Sequence, residues 1–208
     1  MKRLFPGYAN PKKWRTGSQT ATLASDVWRL LRAKALNRDN FTCQYCGYRS
    51  EKYQIVHHMD EDPKNNNLSN LATICQMCNL VLHSGQGCVL KGVVDLYKES
   101  KFNQNDIIRI TREMRDEGKA DPEIIAFLGL KHKMPFKMDK RYLRKLLAFI
   151  SSRKTRDGDD MYDRWKAYHS QALKTHPWRN SDSPKSFIKK PSQIRTVDRF
   201  EEKVLPPS

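Results

Sequence analysis

No apolar run in this 208-residue chain is long enough to cross a bilayer, so a soluble protein is expected. Its opening shows no signal-peptide pattern, which counts against an oxidising compartment. Cysteine is sparse and odd in number: five residues, which cannot all pair as disulfides. Acidic side chains are in deficit, 23 against 39 Lys and Arg, giving a formal net charge of +16 and a pI near 9.7. Only 38% of residues are hydrophobic, too few in a chain of this length for two large cores. One compact α+β domain with extended arms is the expected architecture.

What the chain does have is two Cys-x-x-Cys pairs around a His-His: Cys43 and Cys46, His57 and His58, then Cys75 and Cys78. A two-residue gap lets each pair reach one metal from a tight turn, and four thiolates in two such knuckles make a closed tetrahedral zinc site. Gly47 directly after Cys46 suits the sharp reversal a knuckle needs. The competing readings are buried cysteine pairs without a metal, or two disulfides, and the leftover fifth cysteine argues against disulfides. Cys88, after Gly85 and Gly87, reads as a packed thiol rather than a ligand. The expected complement is therefore one structural Zn2+ per chain, with the two histidines placed where a second divalent ion could bind.

Between the knuckles the sequence predicts a strand over 53–58, with aromatic and β-branched residues before the histidines, then a polar turn-rich loop over 60–70 containing Pro63 and several asparagines. Leu71-Ala72-Thr73-Ile74 leads into Cys75, and a helix is expected from about Cys78 to His83. Upstream, Ser25 can cap a helix over 26–37, whose Val27, Leu30, Leu31, Lys34 and Ala35 follow the helical period. Downstream, three helices are predicted: one capped by Asn105 and ending near Gly118, one capped by Asp121 and ending at Gly129, and one following Asp139. In the third, Tyr142, Leu143, Leu146, Leu147 and Ile150 keep helical spacing. The run DPEIIAFLGL has the pattern of a helix-turn-helix, although short amphipathic helices of this kind are common in plain bundles. A last helix is expected over 161–173, with Trp165 and Tyr168 as packing anchors. From about His176 the chain holds five of its ten prolines among basic residues and serines, a composition that cannot bury much apolar surface. The expected organisation is a basic N-terminal arm over 1–24, a zinc module over 25–96, a helical extension over 97–175, and a Pro-rich basic tail over 176–208.

The positive charge is uneven. Residues 41–96 carry four basic and five acidic groups, with Asp60-Glu61-Asp62 beside the histidines, while 1–40 carry nine basic and two acidic. Residues 97–151 and 152–208 each carry thirteen basic and eight acidic. Such a charge invites nucleic acid, but a phosphate backbone approaching the histidines would meet carboxylates, so acidic protein partners are an equal alternative.

The layout from about 28 to 83, with WRLLRAKALNRDNFTCQYCG, VHH, NLATIC and the helix after the second knuckle, resembles the HNH nuclease superfamily in its zinc-stapled ββα-metal form. The resemblance implies His58 as general base, His57 as a metal ligand (often aspartate in other members), Asn70 as the brace of the loop and base, and Asn79 as the third motif position. His83, one turn further, shares a helix face with Asn79 and would help close the site. The implied activity is metal-assisted phosphodiester hydrolysis, in which neutral His58 takes a proton from water and a divalent ion steadies the leaving oxygen. Read end to end, with KYQIVHH, DEDPKNNNLSNL and CQMCNLVLH, the chain also resembles the IcmJ/DotN family of subunits of Dot/Icm type IVB secretion systems. That resemblance implies a cytoplasmic adaptor held at the inner membrane through the coupling-protein ATPase and its small acidic chaperones, helping to deliver effectors. Trp165, Tyr168 and Trp178 are the apolar anchors expected to meet such partners. The scaffold reading is preferred, with the nuclease second and a DNA-binding regulator third.

Overall fold

The computed structural model describes residues 1–8 and 26–154. Two small antiparallel sheets are packed between helices. The first is a hairpin of β1 (Ile55–His58) and β2 (Leu71–Ile74), with Ile55 opposite Ile74 and His58 opposite Leu71. Helix α1 (Asp26–Arg38) covers one face and α2 (Gln76–Leu82) the other. Alternation along the strands sorts the side chains. Val56, Leu71, Trp28, Ala35 and Leu36 form one cluster, while Ala72 and Ile74 join Val81 on the opposite side. Every residue of β2 is consequently buried.

The inward face of helix α1 overlaps only in part with the one its spacing predicts: Ala35 is buried and Leu31 packs against the same cluster. Trp28, Ala35 and Leu36 are its buried residues, whereas Val27 and Leu30 are 68% and 64% exposed. Its position is fixed at the C-terminal end. Arg38 donates to the Leu68 and Leu71 carbonyls, and Asp39 accepts from its guanidinium and from the Thr73 amide at 2.9 Å. Burial opposes ionisation of Asp39, but these hydrogen bonds outweigh it and hold the carboxyl below its ordinary value.

The second sheet runs β4 (Lys131–Met134), β3 (Val94–Glu99), β5 (Leu147–Ile150), all antiparallel. Helices α3 (Gln104–Asp116) and α4 (Asp121–Leu128) bury Ile107, Ile110, Ile124 and Leu128 against Tyr97 and Phe149 on one face. The other face, with Val94, Leu96, Ala148 and Ile150, merges with the cysteine-bearing core. The run DPEIIAFLGL thus supplies a helix that packs on this sheet, with Ile124 and Leu128 fully buried.

Four expectations change here. The helix predicted after Asp139 is a single turn, α5 (Lys140–Leu143), capped by Asp139, and Leu147–Ile150 is a strand. Residues that bury both faces of a strand form a continuous apolar run, and such a run has no period by which to distinguish it from a buried helix. Strand β4, KHKM, is largely exposed and lacks the strand signature, and its lysines suit a sheet edge. The first eight residues, assigned by composition to an arm, are packed: Leu4 and Tyr8 are buried, and Lys2 and Gly7 donate to the Gln44 and Val81 carbonyls. β3 also runs through residue 96, where composition divides the module from the extension. The Ser25 cap, the helix over 161–173 and the Pro-rich tail, with Trp165, Tyr168 and Trp178, lie outside the described residues.

Helix caps shift by a residue or two. Asn103, not Asn105, caps α3 by accepting from the Asp106 amide, and Ala120 precedes α4. Asn105 is thereby released for long-range work described below. Gly87 sits where a Cβ would collide with Val94, so the π-helical turn Gln86–Lys91 can lie on β3 only with glycine there.

β5 has β3 on one side and a side chain on the other. Buried Gln104 donates to the Ala148 carbonyl at 2.8 Å and accepts from the Ala148 amide at 2.6 Å, replacing a missing strand. Gln104→Ala would strand both backbone groups and should lower stability by about 2 kcal/mol. Urea unfolding checks this, and an unchanged midpoint would show that the clasp is dispensable.

Candidate metal centre

The first knuckle is a turn in which the Gly47 amide donates to the Cys43 carbonyl at 3.0 Å, and Gly47 takes φ +75°. That left-handed conformation is the one glycine adopts without strain. The second knuckle opens α2: Cys75 is its N-cap, and its Sγ accepts from the Cys78 amide at 3.5 Å. The Gln44 amide donates to the Thr73 carbonyl and sets the first knuckle beside the end of β2. All four Sγ atoms fall within 4.8 Å of one another, and each cysteine is 5% exposed or less.

The geometry and chemistry of this cluster fit a tetrahedral metal. Cys46 Sγ and Cys75 Sγ are 3.6 Å apart, close to the edge of roughly 3.8 Å implied by metal–sulfur bonds of about 2.3 Å. Without a cation the four thiols cannot all ionise. Hydrogen bonds from Cys46, Cys75 and Cys78 hold the Cys43 thiol far below its ordinary value, while the same proximity drives Cys75 and Cys78 far above theirs. A dication would remove that conflict and take all four as thiolates. The four cysteines can hold a metal ion, and their softness suits zinc. Cys88 stands apart from the cluster. Burial pushes its thiol up to about 12, which keeps it protonated.

The histidines part company because they are neighbours on a strand. His57 points to the α2 side, where its ring meets that of His83 edge-on with centroids 5.3 Å apart. Asn79 lies one turn before His83, whose amide donates to the Asn79 carbonyl. His58 points to the α1 side. It is 6% exposed, stacked on Trp28 at 5.3 Å, and its Nε2 lies 2.9 Å from Asn66 Oδ1. The five motif residues are therefore split: His57, Asn79 and His83 belong to one face of the hairpin and His58 to the other.

Asn70 lies within the loop's own hydrogen bonds, accepting from the Asp60 amide and donating to Asp60 Oδ1 and the Asn65 carbonyl. Contact with the His58 ring falls instead to Asn66. Nothing in a run of asparagines marks which one will do so. The Asp60-Glu61-Asp62 cluster is largely structural. Asp60 binds Asn65 and Asn70, Asp62 accepts from the Lys64 amide, and Glu61 pairs with Lys140 at 2.9 Å. Two further contributors escape sequence reasoning, Trp28 and Arg112. Arg112 Nη2 on α3 donates to Cys75 Sγ at 3.2 Å, 37 residues away in the chain.

Residues 43–85 match the family described as HNH endonuclease. This segment resembles an HNH domain. A 70-residue stretch, 34% of the chain, is 39% identical to the Type 4 apparatus protein DotN of Legionella pneumophila subsp. pneumophila (strain Philadelphia 1). The match spans about a third of that relative's length, 32%. Among the described residues no helix is long and apolar enough to cross a membrane.

Burial, and then the nearby His83 and His58, push His57 down to about 3. The folded chain therefore refuses a proton that the unfolded chain binds below about pH 6.5. The stabilisation from neutral His57 is complete above that pH and is lost as pH falls toward about 3. Unfolding midpoints between pH 7 and pH 4 should fall more steeply in the parent than in His57→Gln. Parallel profiles would show that His57 titrates freely.

Proposed function

We propose that this chain is an adaptor subunit of a type IVB secretion apparatus, in which the HNH domain serves as a zinc-stapled scaffold for protein assembly and effector delivery. The observation that carries this reading is the 39% identity, over 70 residues, to a type 4 apparatus protein. The disposition of His58 supports it. A general base must reach the attacking water, and here the ring is buried against Trp28 with Asn66 at its Nε2. The proposed partners are the coupling-protein ATPase and its acidic chaperones, reached in the cytoplasm at the inner membrane. The excess of basic residues outside 41–96 suits acidic surfaces, with Trp165, Tyr168 and Trp178 as apolar anchors.

A metal-dependent endonuclease is the second reading, favoured by one observation. The rings of His57 and His83 meet, and Asn79 lies one turn before His83 on the same helix, the set that would hold a divalent ion. The readings separate experimentally. Full-length protein purified from native cells should bring down the coupling ATPase, identified by mass spectrometry. It should leave plasmid DNA intact with magnesium, manganese or nickel. Metal-dependent nicking that disappears in His58→Ala, with nucleic acid the sole captured partner, would overturn the adaptor reading.

One zinc per chain is proposed, held by Cys43, Cys46, Cys75 and Cys78. Metal-folded modules draw roughly 10 kcal/mol of apparent free energy from structural zinc. Cys75→Ser should therefore lose the metal and the cooperative melt together, while Cys88→Ser should keep both. Full zinc content in Cys75→Ser would sink the assignment.

A further inference from the structure

The HNH match ends at residue 85, yet the cysteine cluster is completed by a helix that begins nineteen residues later. Three positions on one face of α3 reach the two knuckles. Asn105 Nδ2 donates to the Tyr45 carbonyl, inside the first knuckle, at 2.6 Å. The same amide group ties in the N-terminal segment: Nδ2 donates to the Lys2 carbonyl at 2.7 Å and Oδ1 accepts from the Leu4 amide at 2.9 Å. Ile108, fully buried, packs in the same core as the four cysteines. Arg112 donates to Cys75 Sγ, in the second knuckle, and its guanidinium carbon lies over the Tyr48 ring, 3.6 Å from the centroid.

Spacing of three and four residues sets these side chains in one row along the helix. The row ends in a permanent charge where one is needed. A dication held by four thiolates carries a net charge of −2, and in a buried site that charge is costly unless donors face it. Arg112 supplies a cation and a hydrogen bond together, and Tyr48 holds its plane in place. Outer partners of this kind set the orientation and strength of metal ligands.

We propose that Arg112 is an outer-shell clamp of the thiolate centre, and that through it metal occupancy is coupled to the order of α3 and the β4-β3-β5 sheet. The inference rests on the zinc reading above. Metal loading then fixes more than the segment that matches HNH: it locks α3, the sheet it packs on, and the N-terminal residues bound by Asn105 onto the knuckles.

The test uses the full-length, zinc-loaded chain. Wild type is assayed first for metal content. A chain without zinc overturns the zinc reading and this proposal together. With one zinc per chain, chelator-driven release is compared among wild type, Arg112→Met and Arg109→Met. Arg109 is the control, because it lies on the same helix and pairs only with Asp106 and Glu113 among the interactions described. The clamp requires release about 10- to 100-fold faster in Arg112→Met, with Arg109→Met at the wild-type rate. Equal rates in the two variants would overturn the clamp while leaving the zinc reading intact. Hydrogen exchange supplies a second readout. Removing zinc from wild type should deprotect amides of α3 and β5, and loss of protection confined to 43–85 would overturn the coupling. Should Arg112→Met fail to fold, Arg112→Lys, which keeps the charge but loses the guanidinium over Tyr48, is judged by the same release criterion.

Discussion

Four thiols brought within 4.8 Å of one another, in a core to which both sheets contribute, are the constraint on which this molecule depends. Without a cation, ionising one of them raises the cost of ionising the next. With a cation among them they would cross-link a turn after α1 to the start of α2. Leu4, Leu96, Ile108, Leu143 and Ile150 pack in the same cluster, so its integrity is felt well outside the HNH segment. Among the described residues this makes the cysteine site a keystone of the packed core rather than the staple of a separable finger.

The hairpin governs the functional reading. A strand covered by helices on both faces sends successive side chains in opposite directions. His57 therefore goes toward α2 and His83, and His58 toward Trp28 on α1. The motif survives as a sequence while its members address different surroundings. A scaffold tolerates that arrangement without further adjustment. Hydrolysis would require water and phosphate to reach a ring that is stacked and hydrogen-bonded.

Electrostatics point the same way. The carboxylates beside the histidines are spent on the loop's own amides, on Asn65 and Asn70, and on Lys140. Of the three, Asp60 is the one whose charge is felt at His57. Basic residues dominate outside this module, in segments suited to meeting acidic surfaces and governing association rate and orientation. Aromatic and apolar anchors would then carry the affinity.

Local chemistry was legible in the sequence wherever it depended on near neighbours. The cysteine spacing announced the metal cluster, glycine after Cys46 announced the left-handed turn, and the apolar strand residues around the histidines announced the hairpin. A helix start after Asp139 was readable because the carboxylate that caps it acts on amides two and three residues away. What depended on distant partners was decided only in the tertiary structure. LLAFI became strand because β3 and Gln104 offered it hydrogen bonds on both edges, which no periodicity records. The buried face of α1 followed from where Arg38 and Asp39 could reach β2, and only in part from the pattern of its own apolar residues. Asn66 was singled out from its neighbours by the loop's fold, and Arg112 by the packing of α3 on the cysteines. Sequence fixes which groups can bind a metal or a proton; only the assembled fold sets which of them share a space, because that is settled by contacts between residues far apart in the chain.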